Sequence, residues 1–176
     1  MIFLGIGSNL SSSFGSRFKN IEKAISYFKA NQVEIIRQSS FYESYSYPNK
    51  NDPKFINIII SIKTSLTPEE LMGLALSIEE KLERKRQKKN DPRTCDIDII
   101  DFNGKILNFK FNKMDLVIPH KNLSTRNFVL YPLKEIYPDW IHPKSKKNID
   151  QLIKNLNKSN NEITKLTQSD INTYVK

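Results

Sequence analysis

The chain has 176 residues, a mass of 20.5 kDa, a formal net charge of +9 and an isoelectric point near 9.5. This length suits one domain that buries about two-thirds of the surface its unfolded form would expose, and the single cysteine, Cys95, excludes an intramolecular disulfide. The basic charge is compatible with nucleic acid, an acidic membrane surface or a polyphosphate substrate, and does not choose among them.

Cysteine usage and hydropathy predict a cytoplasmic protein. Cys95 falls at a core-facing position of a predicted strand, which is typical of a small hydrophobic residue in a reducing compartment. Residues 1–7 lack a basic start and a long apolar segment, and no stretch approaches the roughly 20 apolar residues of a membrane span. We therefore expect neither secretion nor membrane insertion.

The first half of the chain predicts three strands and one helix. The apolar run 2–6 ends at Gly7-Ser8-Asn9, which indicates a buried strand and a turn, and apolar residues three and four apart predict a helix over about 14–30. A second strand is expected over about 33–42, followed by a polar and aromatic loop of the kind that covers ligands. The third strand alternates most clearly, with one face formed by Ile56, Ile58, Ile60 and Ile62 and the other by Phe55, Asn57, Ile59 and Ser61.

The next elements are a helix, a basic loop and an acidic strand. Thr67-Pro68-Glu69-Glu70 predicts a helix start, because Thr67 can cap and Glu70 can complete a capping box. The basic run 83–89 ends this helix, a strand follows over 95–100, and Asn103-Gly104 predicts a tight hairpin into a strand over 106–109. The Lys- and Asn-rich segments near the C-terminus look like solvated surface, and we assign them no function.

The order of elements predicts the fold class. The sequence β-α-β-β-α-β is the split β-α-β arrangement of ferredoxin-like folds, an α+β architecture whose antiparallel sheet carries two helices on one face. From about Asp115 onward an appended C-terminal region is expected to cover the other face, which gives an α/β/α layered single domain over 1–176. Within it, residues 144–176 are a C-terminal extension.

The acidic strand carries the strongest chemical signal. Asp96 and Asp98 project from the same face, with α-carbons roughly 6.5 Å apart, while Cys95, Ile97 and Ile99 face the core. One interpretation is a solvated strand face. Two adjacent like charges repel each other unless a cation lies between them, and Mg²⁺ prefers one or two carboxylates together with substrate phosphates. With the basic run close by, this pattern favours a site for Mg²⁺-bound nucleotide phosphates.

Other phosphate-binding patterns are absent from the sequence. Gly5-Ile6-Gly7 lacks the third glycine of a dinucleotide-binding turn, so that these glycines are interpreted as turn formers, and no G-x-x-x-x-G-K-[ST] loop occurs. A nucleotidyltransferase pairing of Gly7-Ser8 with the acidic strand is disfavoured, because the two segments lie far apart in the chain.

Short fragments spread along the chain resemble one known family. In chain order they are Gly7-Ser8-Asn9-Leu10, Ser39-Ser40-Phe41-Tyr42, Phe55-Ile56-Asn57, Arg84-Lys85-Arg86, Pro92-Arg93-Thr94, Asp96-Ile97-Asp98, Pro119-His120, Arg126 with Phe128, and Tyr131-Pro132-Leu133. Each fragment alone is weak, whereas all of them in this order are highly specific. Over about residues 2–143 the chain resembles the 6-hydroxymethyl-7,8-dihydropterin pyrophosphokinases, folate-pathway enzymes that move pyrophosphate from ATP to a pterin alcohol.

The resemblance implies a reaction and its partners. Asp96 and Asp98 would hold two Mg²⁺ ions that bridge the phosphates of ATP, and AMP would be the leaving group. Phosphoryl-type transfer of this kind is accelerated mainly by positioning and charge neutralisation. The implied partners are ATP and 6-hydroxymethyl-7,8-dihydropterin, with no nucleic acid and no membrane, and we expect a monomer with functional neighbours in the folate pathway.

The resemblance also assigns residues to each part of the site. The residues with catalytic roles are Arg84, Arg86, Arg93, Asp96 and Asp98. The ATP-binding residues are Glu79, Arg93, Ile99, His120 and Arg126. The pterin-binding residues are Ser44, Tyr45, Tyr47, Phe55, Asn57 and Phe128. In this assignment Phe55 and Phe128 stack on the ring, and Asn57 pairs with its amide edge because an amide both donates and accepts.

Four positions at three places in the chain depart from the family pattern. Asn90-Asp91 stands where the family usually has Trp-Gly, Lys121 where a tyrosine commonly follows the histidine, and Asn127 where a glycine is usual. We expect these changes to alter affinities and loop closure more than the reaction.

An RNA-binding module is the alternative function from another class. The same element order occurs in sheets that stack bases, and the chain is basic. The aromatic-rich strand signature of such modules is missing, and a pair of carboxylates would repel phosphates in the absence of metal.

Overall fold

The computed structural model describes residues 1–86, 88, 90–112, 114–156 and 162–175. Its elements, in chain order, are β1 (Ile2–Ser8), α1 (Arg17–Ala30), β2 (Glu34–Gln38), β3 (Tyr42–Ser44), β4 (Phe55–Lys63), α2 (Pro68–Lys81), β5 (Asp96–Phe102), β6 (Leu107–Phe111), β7 (Met114–Ile118), α3 (Asn127–Ile136), α4 (Ile149–Lys154), β8 (Ile163–Lys165) and α5 (Gln168–Val175). A short 3₁₀ turn, Leu123–Thr125, precedes α3. Within these ranges no helix is long and apolar enough to cross a membrane.

The main sheet is antiparallel and has the ferredoxin-like order. Its strands run β5-β1-β4-β3-β8, and β2 pairs with the same edge of β4 as β3 does. The predicted second strand is therefore two short strands, β2 and β3, that follow one another along β4. This arrangement confirms the predicted β-α-β-β-α-β core.

Two apolar layers enclose the sheet. One face packs against α1 and α2, and its core includes Ile56, Ile58, Ile60 and Ile62. The other face packs Phe3, Ile59 and Ile100 against α3 and α4. Because the strand alternation of β4 sends successive isoleucines to opposite faces, this single strand contributes to both layers. The appended region thus covers the second face, which confirms the predicted layered α+β fold.

Local signals place both helices of the first layer. Ser16 caps α1 by accepting a hydrogen bond from the Lys19 N–H. At α2 the Thr67 side chain accepts from the Glu70 N–H, and the Glu70 carboxylate accepts from the Thr67 N–H, which is the predicted capping box. Such a cap stabilises a helix by about 1 kcal/mol, so these short motifs fix where each helix starts.

Two predicted details of the chain path are wrong. Residues 103 and 104 do form a turn with positive φ, but β6 pairs with β7 in a separate two-stranded sheet and does not form a hairpin with β5. Gly5 and Gly7 are not turn formers, because both lie inside β1. Glycine suits both positions because there is little room for a side chain. A β-carbon on Gly7 would meet the Asn57 Oδ1 at 3.0 Å, and one on Gly5 would meet Ile100 at 3.2 Å.

Candidate active site

The sheet register gathers the predicted site residues on one face. Gly7 of β1 lies between Asp96 of β5 and Asn57 of β4, and Gly5 lies between Asp98 and Ile59. Residues paired across neighbouring antiparallel strands point to the same side. The two carboxylates and Asn57 therefore flank a strip of β1 that has no side chains, which leaves a flat floor between them.

Asp96 lies inside a group of arginines. Its carboxylate accepts from the Arg84 Nη1 at 2.6 Å and lies 3.5 Å from the Arg93 Nη1. Burial alone would raise the pKa of Asp96, but Arg84, Arg93 and Arg126 outweigh it and hold the pKa below its ordinary value. Since 30% of the side chain is exposed, Asp96 is an ionised carboxylate that is open to a ligand.

Asp98 lies beside an arginine and a histidine. The Arg126 Nη1 donates to Asp98 at 2.8 Å, and the His120 Nε2 lies 3.9 Å from the same carboxylate oxygen. Burial lowers the pKa of His120 more than Asp98 raises it. The Asp98 side chain is 33% exposed, so the two carboxylates are equally accessible.

Glu79 is buried behind the acidic pair. Its carboxylate accepts hydrogen bonds from Arg84, Arg86 and, at 2.7 Å, from the Ile97 N–H. Burial raises the pKa of Glu79 to about 7, although the arginines act in the opposite direction. With only 3% of its side chain exposed, Glu79 joins α2, the basic loop and β5 from within the protein.

Two cavities meet at the acidic pair. The larger, of about 580 Å³, lies over the floor of β1, and the smaller, of about 210 Å³, lies on the side of α2 and β7. Asp96 and Asp98 line both cavities. A volume of several hundred Å³ suits a small-molecule ligand, so this geometry can hold two ligands with the carboxylates between them.

The larger cavity contains the residues that the sequence assigns to the pterin. All six of them line it: Ser44, Tyr45, Tyr47, Phe55, Asn57 and Phe128. The Asn57 Nδ2 donates to the Ser44 Oγ at 3.0 Å, which orients the amide. Asn90, one of the departures from the family pattern, also lines this cavity.

An arginine guanidinium group lies over the ring of each of the two cavity phenylalanines. Arg93 lies over the Phe55 ring at 5.4 Å, and Arg126 lies over the Phe128 ring at 5.4 Å. The same two arginines contact Asp96 and Asp98 respectively. In the described part of the chain the Arg93 Nε is buried without a hydrogen-bond partner, so it is available to an acceptor on a ligand or to water.

The smaller cavity holds most of the residues that the sequence assigns to ATP. Glu79, Ile99 and His120 line it, together with Arg84 and Arg86. Arg93 and Arg126 face the larger cavity instead. Lys121, another departure from the family pattern, adds a cation to the smaller cavity.

Asn9 is a positioning residue that the sequence analysis did not single out. Its buried amide accepts from the Arg93 N–H at 2.6 Å and donates to the Ser46 Oγ at 3.2 Å and the Pro53 carbonyl at 3.0 Å. It therefore joins the end of β1, the arginine beside Asp96 and both ends of the loop 45–54. A polar residue directly after a buried strand is a weak signal, because most such residues are solvated.

Comparison with known proteins identifies the family of this chain. Residues 3–138 match the family model described as 7,8-dihydro-6-hydroxymethylpterin-pyrophosphokinase (HPPK). The chain belongs to the HPPK family. The matched range agrees with the predicted range of about 2–143.

Relatives within the HPPK family extend over most of the chain. A 2-amino-4-hydroxy-6-hydroxymethyldihydropteridine pyrophosphokinase from Synechocystis is 38% identical over 151 residues, which are 85% of this chain and 73% of the relative. One from Aquifex aeolicus is 35% identical over 150 residues, which are 85% of this chain and 88% of the relative. No comparison supports the RNA-binding alternative.

Solved HPPK-DHPS structures support the fold. Plasmodium falciparum HPPK-DHPS with pteroate superposes with a TM-score of 0.67 at 15% identity, over 87% of this chain. The chain spans 43% of that solved chain. At this identity the likeness shows that this chain has the α/β fold of the HPPK part.

Proposed function

We infer that the protein is an ATP-dependent diphosphotransferase that transfers pyrophosphate from ATP to the hydroxymethyl group of 6-hydroxymethyl-7,8-dihydropterin, a step of tetrahydrofolate biosynthesis. Within a chain of the HPPK family, one observation supports this most strongly: Asp96 and Asp98 line both cavities. Two substrates on either side of that pair would meet where the sheet presents its carboxylates.

The larger cavity is proposed as the pterin site. A flat bicyclic ring fits over Gly5 and Gly7, because β1 presents no side chain there. Phe55 and Phe128 offer aromatic faces, and each stack contributes about 1 to 3 kcal/mol by analogy with bases on aromatic side chains. Asn57, oriented through Ser44, offers an acceptor to the ring's donor edge.

The smaller cavity is proposed as the nucleotide site. Ile99 offers an apolar contact for adenine, while Arg84, Arg86 and His120 present positive or hydrogen-bonding groups for phosphates. Arg93 and Arg126 stand where the two cavities meet and face the larger one. A guanidinium fork matches phosphate oxygens better than an ammonium does, so these arginines are proposed to orient the triphosphate.

The donor set fits Mg²⁺. In the described residues no group of three or more His, Cys, Asp or Glu side chains is placed to hold a metal, so a bound ion needs further ligands from substrate and water. Two accessible carboxylates together with phosphate oxygens are the coordination that Mg²⁺ prefers. We propose that Asp96 and Asp98 hold two Mg²⁺ ions with ATP, and that these ions neutralise phosphate charge when bound.

The transfer step needs alignment and charge stabilisation. The pterin hydroxymethyl oxygen bonds to the β-phosphorus of ATP, the bond from that phosphorus to the oxygen of the α-phosphate breaks, AMP leaves, and the hydroxyl proton is released. Phosphoryl transfer of this kind is catalysed mainly by positioning and preorganised charge. The residues of this chain proposed to supply both are Arg84, Arg86, Arg93 and Arg126. The enzyme is proposed to act as a cytoplasmic monomer on these small molecules.

The nucleotide product tests this function directly. With ATP, Mg²⁺ and 6-hydroxymethyl-7,8-dihydropterin, the protein is expected to release AMP in a one-to-one ratio with the pterin diphosphate, measured by liquid chromatography. Omitting the pterin should abolish AMP release. Production of ADP, or salt-sensitive RNA binding without any ATP-dependent turnover, would contradict the proposal.

The floor of the larger cavity gives a second prediction. In Gly7→Ala the new β-carbon would lie 3.0 Å from the Asn57 Oδ1, so the Asn57 amide must shift, while its 3.4 Å distance from the Phe55 ring is an ordinary contact. Loss of one hydrogen bond of about 1 kcal/mol should raise the Kd of the pterin about fivefold, as measured by isothermal titration calorimetry. Gly73→Ala is the control, because a β-carbon there makes only an ordinary 3.5 Å contact with Phe111. An unchanged Kd in Gly7→Ala would contradict the assigned floor.

A further inference from the structure

The C-terminal segment 162–175 lies beside the larger cavity. It contains β8 and α5 and follows the range 3–138 that matches the family model. Sequence analysis assigned no function to this part of the chain. Its contacts, however, converge on β3 and on the loop that follows β3.

β8 completes the edge of the main sheet. It pairs with β3 in antiparallel register, with Ser44 opposite Ile163 and Glu43 opposite Thr164. The Leu166 N–H donates to the Phe41 carbonyl at 2.9 Å. Because hydrogen-bonded pairs recur every second residue in an antiparallel ladder, Glu43 and Thr164 form the next hydrogen-bonded pair. β8 thus pairs with the outer side of β3, the strand that carries Ser44, and holds it in place.

Side chains fix the segment on both faces of the sheet. On one face the Tyr174 hydroxyl donates to the Glu43 carboxylate at 3.0 Å, and Lys54 donates to the same carboxylate at 3.0 Å. On the other face Lys165 donates to Glu135 of α3 at 3.1 Å, and Glu135 also accepts from the Tyr42 hydroxyl at 2.8 Å. The buried Glu43 carboxylate therefore joins the segment 162–175 to Lys54 at the end of the loop 45–54.

Glu162 is an exposed acidic residue among those around the larger cavity. It directly precedes β8 and lines the cavity that also contains Ser44 and Asn57. The aminopyrimidine edge of a pterin presents N–H donors, and a carboxylate accepts such hydrogen bonds strongly. The cavity therefore has an acceptor, on a segment outside the family match, that complements the amide of Asn57.

We propose that the segment 162–175 positions the pterin half of the site, with β8 holding β3 and its loop in place and Glu162 contributing a hydrogen-bond acceptor at the cavity rim. This inference rests on the proposed function. It predicts an effect on pterin affinity alone, because the segment contacts the larger cavity and the smaller one lies across the carboxylate pair.

The test uses full-length variants. Thr164→Pro removes the N–H that pairs with Glu43, and Glu162→Gln removes the charge while keeping the size. With a saturating nonhydrolysable ATP analogue and Mg²⁺, the Kd for 6-hydroxymethyl-7,8-dihydropterin is expected to rise at least tenfold in Thr164→Pro and about fivefold in Glu162→Gln. The Kd for the analogue alone should stay within twofold of the wild type in both.

Matched controls separate positioning from folding. Thr164→Ala keeps the N–H, and Asn172→Ala changes a side chain whose hydrogen bond is to Gln168 within α5; both should bind the pterin like the wild type. If circular dichroism shows that Thr164→Pro is not folded, the inference is tested with Glu162→Gln and Tyr174→Phe. The Kd for the pterin is expected to rise about threefold in Tyr174→Phe. Pterin affinities within twofold of the wild type in the folded variants would overturn the inference. A wild type that binds no pterin would instead overturn the proposed function.

Discussion

Replacing Asp98 by alanine is expected to lower kcat at least about 10²-fold, the usual cost of losing one preorganised electrostatic element in an active site. Asp98 is one-third exposed, lines both cavities and holds Arg126 at 2.8 Å. The variant therefore loses a proposed metal ligand and the partner that orients an arginine. The measurement is steady-state AMP formation at saturating ATP, Mg²⁺ and pterin.

Two further variants show whether the loss of activity is specific to the acidic pair. Asp96→Ala should behave like Asp98→Ala, because the two carboxylates share the same strand face and the same cavities. Asp139→Ala, at an exposed position, should retain full activity. A melting temperature near that of the wild type would show that the fold is intact. Turnover within tenfold of the wild type in both Asp96→Ala and Asp98→Ala would remove the assigned metal site.

The second large effect concerns stability. Glu79→Ala is expected to lower the free energy of unfolding by about 3 kcal/mol, because the buried Ile97 N–H is left without an acceptor and the buried Arg84 keeps Asp96 alone as its ion-pair partner. The Ile97 N–H loses its 2.7 Å acceptor, and Arg84 and Arg86 each lose an ion-pair partner. Urea denaturation followed by circular dichroism measures the change.

Glu80 supplies the matched control for Glu79. It is the next residue of α2 and is exposed, so Glu80→Ala should change the free energy of unfolding by less than about 0.5 kcal/mol. A loss below about 1 kcal/mol in Glu79→Ala would mean that the ion-pair network around Glu79 contributes little net stability.

Much of the fold follows from local patterns in the sequence. The capping box at Thr67 and Glu70 places the start of α2, and the alternation of isoleucines identifies β4 as a strand with one apolar face, while the burial of its second face is seen only in the structure. These signals depend on residues a few positions apart, so a single sequence shows them. The side of the sheet on which Asp96 and Asp98 lie follows from the same alternation.

Strand pairing was harder to predict, because it depends on residues far apart in the chain. The turn at Asn103-Gly104 looks like a hairpin turn, yet β6 pairs with β7. β8 was not predicted at all, since a three-residue strand becomes evident only when its partner β3 is in place. The spatial role of Gly5 and Gly7 likewise depends on neighbours from β4 and β5.

The site residues also divide into those that the sequence indicates and those that only the structure reveals. The resemblance to the HPPK family brought together the carboxylate pair, the arginines and the six pterin-side residues, and the structure places these around two adjoining cavities. Asn9 and Glu162 were missed because their importance comes from three-dimensional contacts. Asn9 stands in the family fragment Gly7-Ser8-Asn9-Leu10 but was given no role there, and Glu162 lies outside every such fragment.

The most direct test of the proposed site is a crystal structure of the protein with Mg²⁺, a nonhydrolysable ATP analogue and 6-hydroxymethyl-7,8-dihydropterin. We expect the pterin ring over Gly5 and Gly7, the nucleotide on the side of Ile99 and His120, and the metal-bound phosphates against Asp96 and Asp98. Phosphates bound away from these two carboxylates, or both ligands in one cavity, would contradict the proposed mechanism.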